Sequence, residues 1–302
     1  MQQFIKRICL FLIPLLIGFG ALEYSLRLIP NDYAYKNEYL NKYSDKIEVL
    51  ILGNSHAYRG VIPENINLNT FNAAYISQSL DLDFLIFNKY KKDLKKLKFI
   101  VINISYPSLF GSLKESKEDW RIKNYNLYYD FRITLTPKNY SELLGNKYDV
   151  NKKKWMNYYL DDKTLKTTTL LGGGQIYRNN NKKESGIKAA KRHTKKGLPY
   201  YKEYLNELNN ILKDARINNF NLIFITTPTY KYYANNLDIK QLNLMNYIVD
   251  SLTINNSNVY RLNLLKSEDY LYEDFSDPDH LNNKGAEKFT KKLNNFIESL
   301  SY

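Results

Sequence analysis

Short β-rich runs alternate with segments of helical apolar spacing, and this rhythm restricts the fold more than any other feature of the chain. The runs are Ile47 to Leu52, Thr70 to Ala74, Phe99 to Ile104, Leu222 to Ile225 and Val259 to Leu262. Between the second and third, Leu82, Leu85, Ile86 and Tyr90 recur at helical spacing, with Ser79 placed to cap them. Tyr204, Leu205, Leu208, Ile211, Leu212 and Ala215 mark a helix opened near Pro199, and Leu237 to Leu252 reads as another. In the last helical segment Ala286, Phe289, Leu293, Phe296, Ile297 and Leu300 share one face. Strands alternating with helices predict an α/β domain whose parallel sheet is covered on both sides. The rhythm fails between Ser105 and Leu198, a stretch holding Trp120, Trp155, many tyrosines, Gly172-Gly173-Gly174 and the polar run Asn179-Asn180-Asn181. This stretch is expected to be an insertion folded over the carboxyl edge of the sheet, where α/β folds bind ligands.

The bulk composition leaves room for such a core. With 302 residues, 44% hydrophobic and 15% aromatic content and 28 tyrosines, the chain cannot be a solvated tail. The net charge of +13 comes mostly from lysine, and suits a polyanion or a well-solvated surface. Lysines are scattered through Lys91, Lys92, Lys98 and Lys152-Lys153-Lys154, without a basic helix of base-reading arginines, so no nucleic-acid partner is expected. The single cysteine, Cys9, excludes an internal disulfide or a Cys-ligated zinc site, and reads as an apolar packing residue.

Lys6-Arg7 precede an apolar run from Ile8 to Leu22, interrupted only by Pro14 and glycines and ended by Glu23. The run falls in the range of a secretory h-region and is short for a membrane span, which needs about 20 residues. Tyr24-Ser25-Leu26 and Leu28-Ile29 complete a span if Arg27 snorkels, and basic charge before the run directs the downstream chain out of the cytoplasm. An uncleaved signal anchor over residues 1–30 is favoured over cleavage near Gly18-Phe19-Gly20. Residues 31–45, polar and Tyr-rich, then read as a linker.

Ser55 lies in Gly53-Asn54-Ser55-His56, directly after the first strand, and Asp277-Pro278-Asp279-His280 stands just before the last helix. A parallel sheet carries both to the same edge. A serine hydroxyl is a poor nucleophile until a base takes its proton, and that imidazole needs a third group to fix its tautomer. His280 is the natural base and Asp277 its orienting acid; Asp279, adjacent in sequence, is the second choice, with its side chain expected to leave in another direction. The Ser55 amide and an amide from the loop after Phe71-Asn72 are the candidate donors to an oxyanion.

Asp277-Pro278-Asp279-His280-Leu281-Asn282, followed by Gly285-Ala286, resembles the final block of the SGNH (GDSL-like) hydrolase superfamily, in its polysaccharide O-acetyltransferase and D-alanyl-transfer branches. Val49 to His56 resembles the first block, with Ser55 as nucleophile. Asn72 to Ser79 is similar to a degenerate second block in which Ser77 or Ala74 replaces the oxyanion glycine. At the third block Asn103-Ile104-Ser105-Tyr106-Pro107 replaces Gly-x-Asn-Asp, so Asn103 and Ser105 are not assigned a role. The resemblance spans about residues 46–300 and implies a three-layer α/β/α domain around a mostly parallel, flavodoxin-like five-stranded sheet, with the insertion at about 105–198. It implies a catalytic set of Ser55, Asp277 and His280, with Ser55 and Ser77 as backbone oxyanion donors. The activity implied is that of a membrane-tethered, extracytoplasmic esterase or O-acyltransferase acting on acyl esters of a cell-surface polysaccharide or other envelope polymer, with a membrane-bound partner as acyl donor. The alternative is an inactive SGNH-like module that binds polysaccharide or an envelope-assembly partner.

Other residues carry weaker signals. His56 follows Ser55 directly and is expected to point away from it in a structural role, and His193 reads as a loop or surface histidine. Three histidines so spread suggest no metal site, and no cofactor is expected. Gly172-Gly173-Gly174 has no Lys-Ser/Thr after it and reads as a flexible turn. Tyr128-Tyr129, Tyr158-Tyr159 and Tyr232-Tyr233 suit either packing or stacking on sugar rings.

Overall fold

The computed structural model describes residues 1–174 and 182–300, and the run Asn179 to Asn181 lies outside the described residues. The chain opens with α1 (Gln2–Arg27) and α2 (Asp32–Tyr43). Then come β1 (Val49–Leu52), α3 (Ser55–Gly60), β2 (Thr70–Asn72), α4 (Leu80–Tyr90) and β3 (Phe99–Asn103). The irregular stretch carries α5 (Ile122–Tyr128), α6 (Glu142–Gly145), α7 (Tyr148–Tyr159) and α8 (Lys183–His193). Next are α9 (Tyr201–Asn218), β4 (Asn221–Thr226), α10 (Lys231–Ala234), α11 (Ile239–Ile254) and β5 (Val259–Asn263). The chain closes with the antiparallel pair β6 (Phe275–Asp277) and β7 (His280–Leu281), then α12 (Asn283–Ser299).

Strands β1 to β5 form one parallel sheet in the order β2-β1-β3-β4-β5, flanked by helices, which is the α/β architecture expected. Every residue of β1, β2 and β3 is buried, the polar Thr70, Asn72 and Asn103 included, as befits a parallel sheet covered on both faces. The chain steps from β1 to β2 on one side, then returns to place β3 on the other side of β1. The strand order therefore reverses between β1 and β3, and their carboxyl ends open the crevice where doubly wound sheets hold ligands.

The chain divides into two compact units: Met1–Glu38 with Lys117–Thr167, and Tyr39–Ser116 with Thr168–Tyr302. Of the stretch from Ser105 to Leu198, residues 117–167 fall in the first unit, and Ser105–Ser116 together with the described residues after Thr167 fall in the second. Residues 31–45, expected as a linker, are mostly helical. Asn31 Oδ1 accepts from the amides of Tyr33 and Ala34, and the Asp32 carboxylate accepts from the Thr167 amide and hydroxyl at 2.8 and 2.6 Å. The Asp32–Thr167 tie is long-range and leaves no periodic trace in sequence.

Ser79 occupies the N-cap of α4 but makes no side-chain cap bond. Its hydroxyl donates to the Asp81 carboxylate and accepts from the Leu113 amide instead. The triple glycine is a close-packed edge, where the Leu171 carbonyl accepts from the Asn72 amide at 2.8 Å beside β2. Gly172 has φ +90°, and a Cβ there would stand 2.2 Å from the Asn72 carbonyl oxygen.

Candidate active site

Ser55 is presented by a turn that only glycine can make. Gly53 has φ +135°, and a Cβ on it would meet the Asn103 Cβ at 2.7 Å. The Gly53 amide donates to Asp83 Oδ1 at 2.8 Å, and the same oxygen accepts from Gln78 Nε2 at 2.6 Å. Burial pushes the Asp83 carboxyl up to about 8, against the pull of these two donors. Asn54 then caps α3, its Oδ1 accepting from the His56 amide at 3.0 Å. Its Nδ2 donates to the hydroxyls of Ser105 and Ser108 at 2.7 and 3.3 Å, tying the exit of β1 to the loop after β3. Ser55 is the first helical residue, so its amide lies among those with no intrahelical acceptor.

The other half of the site is the β6–β7 hairpin, in which Asp277 pairs directly with His280. Opposed residues in an antiparallel pair share a face, which is why a D-x-x-H spacing brings carboxylate and imidazole together. Asp277 Oδ1 accepts from the amides of Asp279 and His280 and, at 2.9 Å, from His280 Nδ1; its Oδ2 lies 3.1 Å from Nδ1. Asn282 caps α12 through the Gly285 amide, while the Asn282 amide donates to the Asp274 carbonyl. The Tyr230 amide donates to the Pro278 carbonyl at 2.9 Å and pins the hairpin to the chain leaving β4.

The two halves meet at a Ser55 Oγ to His280 Nε2 distance of 2.7 Å. A carboxylate only accepts, so Nδ1 carries the proton toward Asp277 and Nε2 accepts from the serine hydroxyl. Burial favours ionisation of neither group. Nevertheless, the hydrogen bond and charge of His280 hold Asp277 well below the usual carboxylate range. Burial also opposes a charged His280, but Asp279 and Asp277 outweigh it and keep its pKa above the ordinary histidine value.

Asp279 does not leave in another direction. Its Oδ1 lies 3.7 Å from His280 Nδ1 and its Oδ2 3.9 Å from His193 Nδ1. It is buried, Oδ2 accepts no hydrogen bond among the described residues, and burial pushes the carboxyl up to about 6. His193 ends α8, and its Nδ1 stands 2.8 Å from the Tyr233 hydroxyl, a partly buried position and not a loop surface. Nor does His56 stand apart from the site: its buried ring lies 4.7 Å from that of His280. Burial, reinforced by neighbouring cations, keeps His56 and His193 neutral, with His193 brought down to about 3. All three histidines of the chain thus converge on one site, which their spacing concealed.

His56, Asp279 and His280 could between them offer a metal ion ligand atoms within 4.8 Å of one another. Both ring nitrogens of His280 are already engaged by Ser55 and Asp277, so an ion held there would have to break that chain of hydrogen bonds.

The expected oxyanion donors are narrowed by the structure. The amides of Ala73, Ala74 and Tyr75 donate to Ile51 O, Asn72 Oδ1 and Gly53 O, which removes Ala74 as the replacement for the glycine. Ser77 has φ +58°, the left-handed conformation that glycine adopts most readily. Asn103 is buried at the end of β3, and neither atom of its side-chain amide has a partner among the described residues. Asp83, Gln78 and Ser108 carry no signal in the sequence, and Ser105 stands there without an assigned role. Of the residues holding the turn, only Asn54 had a local signal, as a capping residue before a short helix.

No family model and no curated protein matches the chain. Among solved structures it is similar to a Streptococcus pneumonia protein provisionally described as a platelet activating factor, at 10% identity over 96% of this chain and 99% of that one, TM-score 0.45. It is also similar to a GDSL-like lipase from Bacteroides thetaiotaomicron, at 11% identity over 88% of this chain and 99% of that one, TM-score 0.41. A third likeness is to a family two carbohydrate esterase from Clostridium thermocellum in complex with cellohexaose, at 10% identity over 84% of this chain and 64% of that one, TM-score 0.38. A parallel sheet with a serine on the exit turn of its first strand, and an aspartate–histidine hairpin before its last helix, has the layout of the SGNH hydrolases. That resemblance rests on the chain's own sheet order and on the positions of Ser55, Asp277 and His280 within it.

Proposed function

We propose that the chain is a serine ester hydrolase or O-acyltransferase tethered to a membrane, working outside the cytoplasm on acyl esters of a cell-surface polysaccharide. The observation that carries this reading is the Ser55–His280–Asp277 chain of hydrogen bonds, at 2.7 and 2.9 Å. Ser55 Oγ attacks the ester carbonyl as His280 Nε2 takes its proton, and the Asp277 carboxylate stabilises the imidazolium. The oxyanion is held by the amides of Ser55 and Ser77. Its collapse releases the alcohol, which takes the proton from Nε2, and leaves the acyl group on Ser55. Water resolves this acyl-enzyme in hydrolysis and a sugar hydroxyl in transfer, with His280 as base in either case.

Two further observations support the finer reading. Tyr230 packs edge to face on Tyr232 and Tyr272 beside the Asp277–His280 hairpin, and exposed Tyr272 offers a ring of the kind on which sugars stack. Helix α1 is the one helix among the described residues long and apolar enough to cross a membrane, with mean hydropathy 2.0 over its most apolar window and none of that window buried. The test is turnover of an activated acetyl ester, with and without an oligosaccharide acceptor. Ser55→Ala abolishes turnover while the circular dichroism spectrum is kept; unchanged turnover in that variant overturns the proposal. Acetyl recovered on the acceptor distinguishes transfer from hydrolysis.

A further inference from the structure

The last turn of α1 is clamped to α6 and α7. Glu23 accepts from the amides of Glu142 and Leu143 and from the Ser141 hydroxyl, each at 2.9 Å. Arg27 donates to the Tyr140 carbonyl at 2.6 Å and to Glu23 at 2.7 Å. Trp155 Nε1 donates to Ser25 Oγ at 3.2 Å, and the Tyr159 hydroxyl donates to the Ser25 carbonyl at 2.9 Å. Beneath these bonds Glu142 is completely buried and accepts from Lys123 at 2.7 Å, Tyr128 at 2.7 Å and Lys154 at 3.2 Å. The clamp therefore fixes α6 and α7 at the level of residues 23–27.

That level is set by helix length. The run Ile8 to Leu22 rises only about 22 Å as a helix, against a hydrocarbon core of about 30 Å. A span that begins at Ile8 must use residues as far as Arg27, so Arg27 marks the edge of the hydrocarbon core and what is clamped to this last turn stands at the membrane interface. The side chains exposed there are those suited to that depth. Exposed Tyr148, Lys152 and Tyr159 fall on one stripe of α7 with half-buried Trp155, and exposed Met156 and Leu160 lie beside it. Leu144 and Leu160 are 67% and 65% exposed, and Tyr148 75%. Between residues 147 and 160 the exposed charges are Lys147, Lys152 and Lys153 against Asp149 alone, Lys154 being half-buried against Glu142. Lysines with apolar stems, tyrosine and tryptophan are the side chains that interfaces favour, and the lysine excess selects anionic headgroups.

We propose that α7 and the α6 turn form a second membrane contact, an amphipathic pad lying on the anionic lipid surface around the exit of α1. This rests on the tether of the proposed function. Since the clamp leaves the pad no hinge to α1, the pad fixes the tilt of the helix and of the unit attached to it, and so does more than add affinity.

The test uses the full chain in vesicles of phosphatidylglycerol and phosphatidylcholine whose acyl chains are brominated near the headgroup. Trp120→Phe leaves Trp155 as reporter at one end of α7. Combining Trp120→Phe and Trp155→Phe with Tyr148→Trp puts the reporter at the other end. Both reporters are expected to lose most of their emission in brominated vesicles, and Lys152→Glu with Lys153→Glu to restore emission at position 148. Emission at 148 that ignores bromine while Trp155 is quenched means that α7 rises away from the bilayer, and overturns the pad alone. Resistance of α1 to alkaline extraction is read in parallel: a chain that washes off overturns the tether and the pad together.

Discussion

Asp277 and His280 stand opposite one another in the β6–β7 pair, with both carboxylate oxygens within 3.1 Å of the imidazole Nδ1. An amide in place of the carboxylate keeps the shape but can turn a donor toward Nδ1, which forces the proton to Nε2 and denies Ser55 its base. Asp277→Asn is therefore expected to lower kcat for an activated acetyl ester by on the order of 10³–10⁴-fold with a smaller change in KM. Steady-state kinetics on the purified variant check this.

Catalysis needs neutral His280, so the acid limb of kcat/KM reports its protonation. Burial lowers that pKa, but Asp279 and Asp277 raise it by more, while Arg59 opposes them. Neutral His56 and His193 face the same ring without adding charge. The wild-type limb is expected to fall above the ordinary histidine value. Asp279→Asn removes a raising influence and shifts the limb to lower pH while leaving Asp277 in place, so activity is kept on the plateau. A pH–rate profile of both proteins measures the shift.

Gly53→Ala forces an alanine to φ +135° with its Cβ 2.7 Å from that of Asn103. The strain is expected to cost ~1–3 kcal/mol of stability. Because Ser55 comes two residues later, activity should fall further than the loss of folded protein accounts for. Urea denaturation and kinetics on the folded fraction separate the two effects.

Asp83 binds its proton more tightly in the folded chain, where burial raises it to about 8, than in the unfolded chain. Its contribution to stability is therefore complete below the unfolded carboxyl pKa and is lost as pH rises to about 8. Asp83→Asn keeps an oxygen for the Gly53 amide but cannot ionise. The difference between variant and wild type should accordingly move in favour of the variant by on the order of 1 kcal/mol per pH unit between pH 4 and 8. Urea midpoints across that range give the sign directly.

The sheet was legible in sequence because each strand is a local apolar run and each helix a local period. The Ser55 turn and the D-x-x-H hairpin were legible for a related reason: both sit at strand ends, whose place in a parallel sheet is set by chain order. What could not be read are the meetings between distant segments. His193 reaches the site only through the packing of α8 against α10, and His56 through the turn that caps α3. The hold of Asp83 on Gly53 joins α4 to the exit of β1 through a single carboxylate oxygen. The unit formed by Met1–Glu38 and Lys117–Thr167 is held by polar bonds to backbone amides, from Glu23 and Asp32, which any sequence can supply.

Labelling by a fluorophosphonate tests the central claim most directly, since that reagent needs an alcohol whose proton a base removes. The wild-type chain is expected to be labelled rapidly, at Ser55 as located by peptide mass, and His280→Ala to be labelled on the order of 10²–10⁴-fold more slowly. Equal rates in the two proteins, or a label on any residue other than Ser55, would contradict the account.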